Sequence, residues 1–166
     1  MAADKLTALA ADVGSALLAR GASLAAAESC TGGGIAEAVT RISGSSAWFE
    51  RGFVTYSNAA KTEMLGVDAG ILAQFGAVSE EAARAMAGGA LAHSQATVSL
   101  AVTGIAGPIG GTAEKPVGTV CCAWGARGGA ISSETKHFGG DRETVRRNSV
   151  AHALQGVLRL LDGTQP

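Results

Sequence analysis

The sequence carries little charge, few cysteines and no long uncharged apolar run, and each shortage removes a class of protein. Among its 166 residues 13 Lys and Arg stand against 14 Asp and Glu, a formal charge of -1, and the pI is about 6.3. So even a balance gives no electrostatic footprint for general binding to nucleic acid or an anionic membrane, and any anionic partner has to be met locally. Charged residues make up 16%, below the roughly 25% typical of soluble domains. The cysteines, Cys30, Cys121 and Cys122, are an odd set without metal-like spacing, and two are chain neighbours that do not readily bridge each other; no disulfide framework is expected. No uncharged apolar run reaches the roughly 18 residues of a membrane span. The opening MAADKLTALAADVG carries Asp4 and Asp12 and lacks the basic and then apolar segments of a secretory signal, so the expected location is the cytoplasm. Repeats, low-complexity tracts and linkers are also missing, and the length suits one domain over 1–166.

Glycine is plentiful instead, with 24 residues, about twice the average share of roughly 7%. Tight turns and closely packed backbone are expected. Leu6, Leu9, Val13, Leu17 and Leu18 recur near helical spacing and predict a helix over 4–19, with Gly21 as its C-cap. SLAAAES (23–29) reads as a buried strand that enters the turn CTGGG, followed by a helix over 35–42. GFVTYS (52–57) reads as a second strand, and NAAKTEMLG as a short helix capped by Asn58 and ended by Gly66. Ser79 with two acids after it predicts a helix over 79–94 despite Gly88 and Gly89. ATVSLAVTG (96–104) is a β-branched apolar run that empties into the longest loop, GIAGPIGGTAEKPVG. VGTVCCAWGA and AISSETKHF, split by RGG, predict a hairpin, and Asp141 caps a long amphipathic C-terminal helix. The alternation predicts an α/β fold, a three-layer α/β/α sandwich with a mixed, mostly parallel sheet that holds at least one antiparallel strand.

Ligands of such sheets sit beyond the carboxyl ends of strands, and both SCTGG and TGIAG follow predicted strands. Ser29 falls where a strand delivers a side chain to the rim, and the N–H groups of Thr31, Gly32 and Gly33 would open a helix beside it. That suits an acyl-transfer nucleophile next to an oxyanion hole, although a plain helix cap explains the same residues. It is not the GxSxG elbow of α/β-hydrolases, because positions 27 and 31 are Ala and Thr. Lys61, third in the helix capped by Asn58, would feel a dipole that disfavours the ammonium, and a neutral lysine is a competent base. Tyr56 would stand close enough to pass or orient a proton, while a solvated lysine and a half-buried tyrosine are the bland alternative. Successive side chains at a strand end alternate, so Cys30 is assigned to packing. His93, His137 and His152 read as ordinary surface or core residues. The loop after Thr103, with Gly104 and Gly107, would wrap N–H groups round a phosphate or ribose, or simply turn. Arg142 would clamp a phosphate, or together with Arg146 and Arg147 form a solvated face. Trp48 and Phe49 suit packing first and a stacking or subunit contact second.

AESCTGG, GSSAWFERGFVTYSNAAK, GAVSEE, TGIAGPIGGTAEKPVGTV and GDRETVRR together resemble the CinA C-terminal domain family, within it the stand-alone PncC-type nicotinamide-nucleotide amidohydrolases. The resemblance runs from about residue 5 to 161, and Ile109 departs from it, since the family loop often carries Asp there. It implies a five-stranded mixed sheet with one strand antiparallel. It implies deamidation of nicotinamide mononucleotide to nicotinate mononucleotide and ammonia, a step of pyridine-nucleotide salvage. A serine, a lysine and a tyrosine are implied as its catalytic set, matching Ser29, Lys61 and Tyr56. Oxyanion and substrate contacts then fall to Thr31, Gly32, Gly33, Thr103, Gly104, Gly107 and Arg142. No metal or other cofactor is expected, since base and oxyanion terms suffice for such chemistry. The low charge and the exposed-looking Trp48 and Phe49 point to a homo-oligomer. Two other readings stand beside this one: a nucleotide-binding or regulatory module without catalysis, and a short-chain dehydrogenase. The second fails because Tyr56 and Lys61 are one residue too far apart and no early glycine fingerprint is present.

Overall fold

A computed structural model describes the backbone of residues 2–164 and the side chains of 5–164. The helices are α1 (Ala2–Ala19), α2 (Gly34–Thr40), α3 (Asn58–Leu65), α4 (Ala69–Phe75), α5 (Glu80–Ala92) and α6 (Arg142–Asp162). The strands are β1 (Leu24–Glu28), β2 (Phe49–Val54), β3 (Val98–Gly104), β4 (Thr119–Ala126) and β5 (Ile131–His137). They form one five-stranded sheet in the order β2-β1-β3-β4-β5. β1 runs parallel to β2 and β3, β4 runs against β3, and β5 runs against β4, so β4 alone opposes the rest.

Period-2 alternation along the buried strands builds the two outer layers. Leu24 and Ala26 of β1, Leu100 and Val102 of β3 and Trp124 of β4 pack under α1, α2 and α6. Ala25 and Ala27, Ala101, and Cys121 and Ala123 pack under α3, α4 and α5. Fully buried side chains such as Leu24, Leu100 and Leu154 each contribute roughly 1.5–3 kcal/mol. Two helical glycines explain how closely the layers approach. A Cβ on Gly156 of α6 would lie 1.9 Å from the Trp124 ring, and one on Gly89 of α5 would lie 2.1 Å from the Leu65 carbonyl oxygen. Within the Gly88–Gly89 interruption of α5, Gly89 therefore serves close packing on α3, while Gly88 faces Ile131 of β5.

The structure departs from the sequence expectation at two boundaries, in one helix and in one exposure. β2 starts at Phe49 and ends at Val54, because its register with β1 ends at the Glu28–Val54 pair, and Thr55 N–H makes the last bond, to the Glu28 carbonyl. The N-cap of α3 is Ser57, whose Oγ accepts from Ala60 N–H, so Lys61 is the fourth helical residue. α4, unmarked in the sequence, is started by Asp68, whose carboxylate accepts from Gly70 N–H. Trp48 is 2% exposed and lies against Gly14 of α1, so its apparent exposure, and the support it lent to a subunit contact, are corrected. No described helix is long and apolar enough to cross a membrane.

Candidate active site

The parallel strands β1, β2 and β3 end on one edge of the sheet, and β5, also parallel to them, delivers the start of α6 to the same edge. Four segments leave the sheet together there: the 29–33 turn, the 55–61 connection into α3, the 104–110 loop and the head of α6. They enclose a cavity of about 270 Å³, just under the usual range of roughly 300–1,000 Å³ for small-molecule clefts. Ser29, Lys61 and Tyr56 line it, as do Thr103, Gly104, Gly107 and Arg142. Thr31, Gly32 and Gly33 do not line it.

Strand alternation sends Glu28 toward α2 and Ser29 toward α3, where Lys61 Nζ lies 3.1 Å from Ser29 Oγ. Lys61 is 1% exposed, and Nζ also donates to the carbonyls of Thr55 at 3.0 Å and Tyr56 at 3.1 Å. No carboxylate pairs with Lys61 among the described residues. Desolvation without a counter-charge holds its pKa below the ordinary lysine value. A neutral amine has two N–H bonds and one lone pair. With the two carbonyls taking the N–H bonds, the lone pair is left for the Ser29 hydroxyl.

Cys30 sits next to Ser29 but packs in the core with α2 and α6, and burial pushes its thiol up to about 12. It therefore stays a thiol at neutral pH, and a protonated sulfur is a poor nucleophile. Tyr56 is 62% exposed; its hydroxyl accepts from Arg142 Nη2 at 3.3 Å and bonds neither Ser29 nor Lys61. Arg142 also donates to the Gly107 carbonyl at 2.8 Å, so its guanidinium is held across the cavity mouth. Thr103 spends its hydroxyl on the Ala77 carbonyl, and Gly104 leaves no room for a Cβ beside Val120. None of the three histidines lines the cavity. Arg146, read from the sequence as a possible solvated residue, donates to the carbonyls of Cys30 and Thr31 and ties the turn to α6.

Residues 6–161 match the family model of the CinA C-terminal domain. The chain belongs to the CinA C-terminal domain family. Within that family it is 55% identical to a nicotinamide-nucleotide amidohydrolase PncC of Pseudomonas putida, over 95% of this chain and 98% of the relative. It is 53% identical to the protein of the same name from Escherichia coli strain K12, over 93% of this chain and 94% of the relative. Among solved structures, it is similar to a competence/damage inducible protein, CihA, of Agrobacterium tumefaciens, with a TM-score of 0.90, 47% identity and 95% of both chains covered. A competence damage-inducible protein of Klebsiella pneumoniae gives a TM-score of 0.91 at 41% identity, over 96% of this chain and 99% of that one.

Two residues at this CinA-family site escaped the sequence reading. Thr55 supplies a carbonyl to Lys61, which is a main-chain role that no side-chain pattern marks. Glu28 is wholly buried, and its only signal is a lone acid at the end of an apolar strand.

Proposed function

We propose that this CinA-family protein hydrolyses the carboxamide of nicotinamide mononucleotide, giving nicotinate mononucleotide and ammonia through an acyl-enzyme on Ser29. The carrying observation is the buried contact of Ser29 Oγ with Lys61 Nζ at 3.1 Å. The names of the relatives at 53–55% identity supply the substrate.

Neutral Lys61 takes the Ser29 proton as Oγ bonds to the carboxamide carbon, and the carbonyl electron pair moves onto oxygen. Cys30 and Ala106 line the cavity, and their N–H groups bond no other residue among those described, so they are assigned to this oxyanion. They replace Thr31, Gly32 and Gly33 in that role, because those three do not line the cavity whereas Cys30 and Ala106 do. Collapse of the adduct breaks the C–N bond, and Lys61 returns its proton to the departing nitrogen, which leaves as ammonia. Water then enters, gives a proton to Lys61 and attacks the acyl carbon. The second adduct expels Ser29 Oγ, which recovers its proton. The pyridinium charge of the substrate makes its carbonyl more electrophilic at both steps.

The phosphate is assigned to Arg142 and the 104–110 loop, and Tyr56, through its hydroxyl, orients Arg142. Arg142→Ala is expected to raise KM by about tenfold or more with a much smaller change in kcat, since a charge-assisted bidentate contact contributes about 1.5–3 kcal/mol. An unchanged KM for nicotinamide mononucleotide would remove Arg142 from that role.

Ammonia release from nicotinamide mononucleotide by the purified protein tests the reaction itself. Release is expected to persist in excess chelator, because neither proton transfer nor oxyanion binding in this route draws on a metal. Binding of the nucleotide without release would instead leave a nucleotide-binding module. Activity that chelator removes and divalent metal restores would sink the route drawn above.

A further inference from the structure

Among the described residues Glu28 is the one wholly buried carboxylate, and the reaction as drawn makes no use of it. Its Oε1 accepts from Thr31 Oγ1 at 2.6 Å and from Ile35 N–H at 2.8 Å, and its Oε2 accepts from Ala36 N–H at 3.1 Å. All three contacts are donors, which suits an acceptor-only group. Two of the donors are first-turn N–H groups of α2, whose N-cap is Gly33 and offers no side chain. A residue of β1 thus caps a helix that begins six positions later in the chain.

The main chain of Glu28 performs a second task. Its carbonyl accepts from Thr55 N–H at 2.8 Å, and Thr55 in turn offers its own carbonyl to Lys61 Nζ at 3.0 Å. From the other side, Arg146 holds the carbonyls of Cys30 and Thr31. The turn that carries Ser29 is therefore held between the Glu28 carboxylate, which takes Thr31 Oγ1 and the first N–H groups of α2, and the Arg146 guanidinium, which takes the carbonyls of Cys30 and Thr31. Both the nucleophile and the carbonyl that aims the base are referred to residue 28.

We infer that Glu28 is a positioning residue that sets the distance between Ser29 Oγ and Lys61 Nζ through its buried carboxylate and its carbonyl. The inference rests on the reaction proposed above. In Glu28→Gln the side chain keeps its size but turns an NH2 group toward an N–H donor, and the head of α2 has to shift. Displacements well under an ångström reach kcat, since a misplacement of about 1 Å costs on the order of 100-fold.

The test measures ammonia release from nicotinamide mononucleotide, with kcat and KM separated, for wild type, Glu28→Gln and Thr31→Val, beside a denaturation curve for each. Expected is a fall in kcat of about 10- to 100-fold in folded Glu28→Gln, a smaller fall in Thr31→Val, and KM within about twofold in both. A Glu28→Gln protein that loses midpoint but keeps kcat within twofold overturns the inference and leaves Glu28 a structural cap. If Glu28→Gln does not fold, Thr31→Val decides alone, and an unaltered kcat there overturns the inference. Absence of ammonia with wild type brings down the proposed reaction and the inference together. Ammonia from wild type with both variants unaltered brings down only the inference.

Discussion

Ser29→Ala is expected to reduce ammonia release from nicotinamide mononucleotide by a factor on the order of 10⁴–10⁶, the scale of losing a nucleophile from a covalent route. Cys30→Ala, one position on, is expected to stay within a few-fold of wild type. The contrast follows from strand alternation and burial. Ser29 Oγ is turned to Lys61, whereas Cys30 is packed against the α2 and α6 layer with its thiol pushed up to about 12. The alanine at position 30 also retains the N–H assigned to the oxyanion. Loss of activity in a folded Cys30→Ala, with Ser29→Ala still active, would move the nucleophile to the sulfur and reverse the assignment.

Lys61→Met is expected to lower kcat by about 10²–10⁴, the usual worth of a general base, and to leave nucleotide binding in place. Two pH measurements carry the argument further. Wild-type activity is expected to rise with pH as Lys61 loses its proton, and since desolvation holds its pKa below the ordinary 10.5, the rise is expected below that value. Stability moves the same way. Between the lowered folded value and 10.5 the unfolded chain binds more protons than the native one, so unfolding free energy grows with pH across that window. Above it both states are neutral at this group, and below it the cost of burying the charge is present in full. Denaturation midpoints should therefore climb with pH in wild type relative to Lys61→Met. Parallel profiles for the two proteins would show that Lys61 is not desolvated as described.

Much of this was legible because several signals agreed. At 23–42 a short apolar run, a glycine turn and a helical period follow one another, and the sheet places β1, the turn and α2 there within one or two residues. The carboxyl edge as the meeting place of Ser29 and the loop after Thr103 followed from parallel order, whereas Arg142, left open between a phosphate clamp and a solvated face, is brought there by the start of α6. What failed were features decided by partners elsewhere in the chain or left without a local pattern. Ser57 and Asn58 are both good capping residues, and the end of β2 against β1 settles which one caps. Trp48 packs as its first reading has it, while its exposed look, taken as a hint of a subunit contact, fails because the slot that receives it is opened by Gly14, far away in the chain. Seven residues with a glycine second gave α4 too little periodicity to stand out. Glu28 passed unnoticed since a single acid in SLAAAES has neither period nor motif, and its three partners lie in the helix and turn beyond it.

Two of the three hydrogen-bond partners of Lys61 Nζ are main-chain carbonyls, those of Thr55 and Tyr56. No point substitution deletes a carbonyl. Sequence drift at positions 55 and 56 can alter the side chains and still leave the amine aimed at Ser29, so the base is mutationally robust in a way that a side-chain triad is not. The same arrangement restricts an engineer. Retuning the working pH of this site through a partner swap is closed off, and the open routes are to admit water to Lys61 or to bring a new charge within its reach.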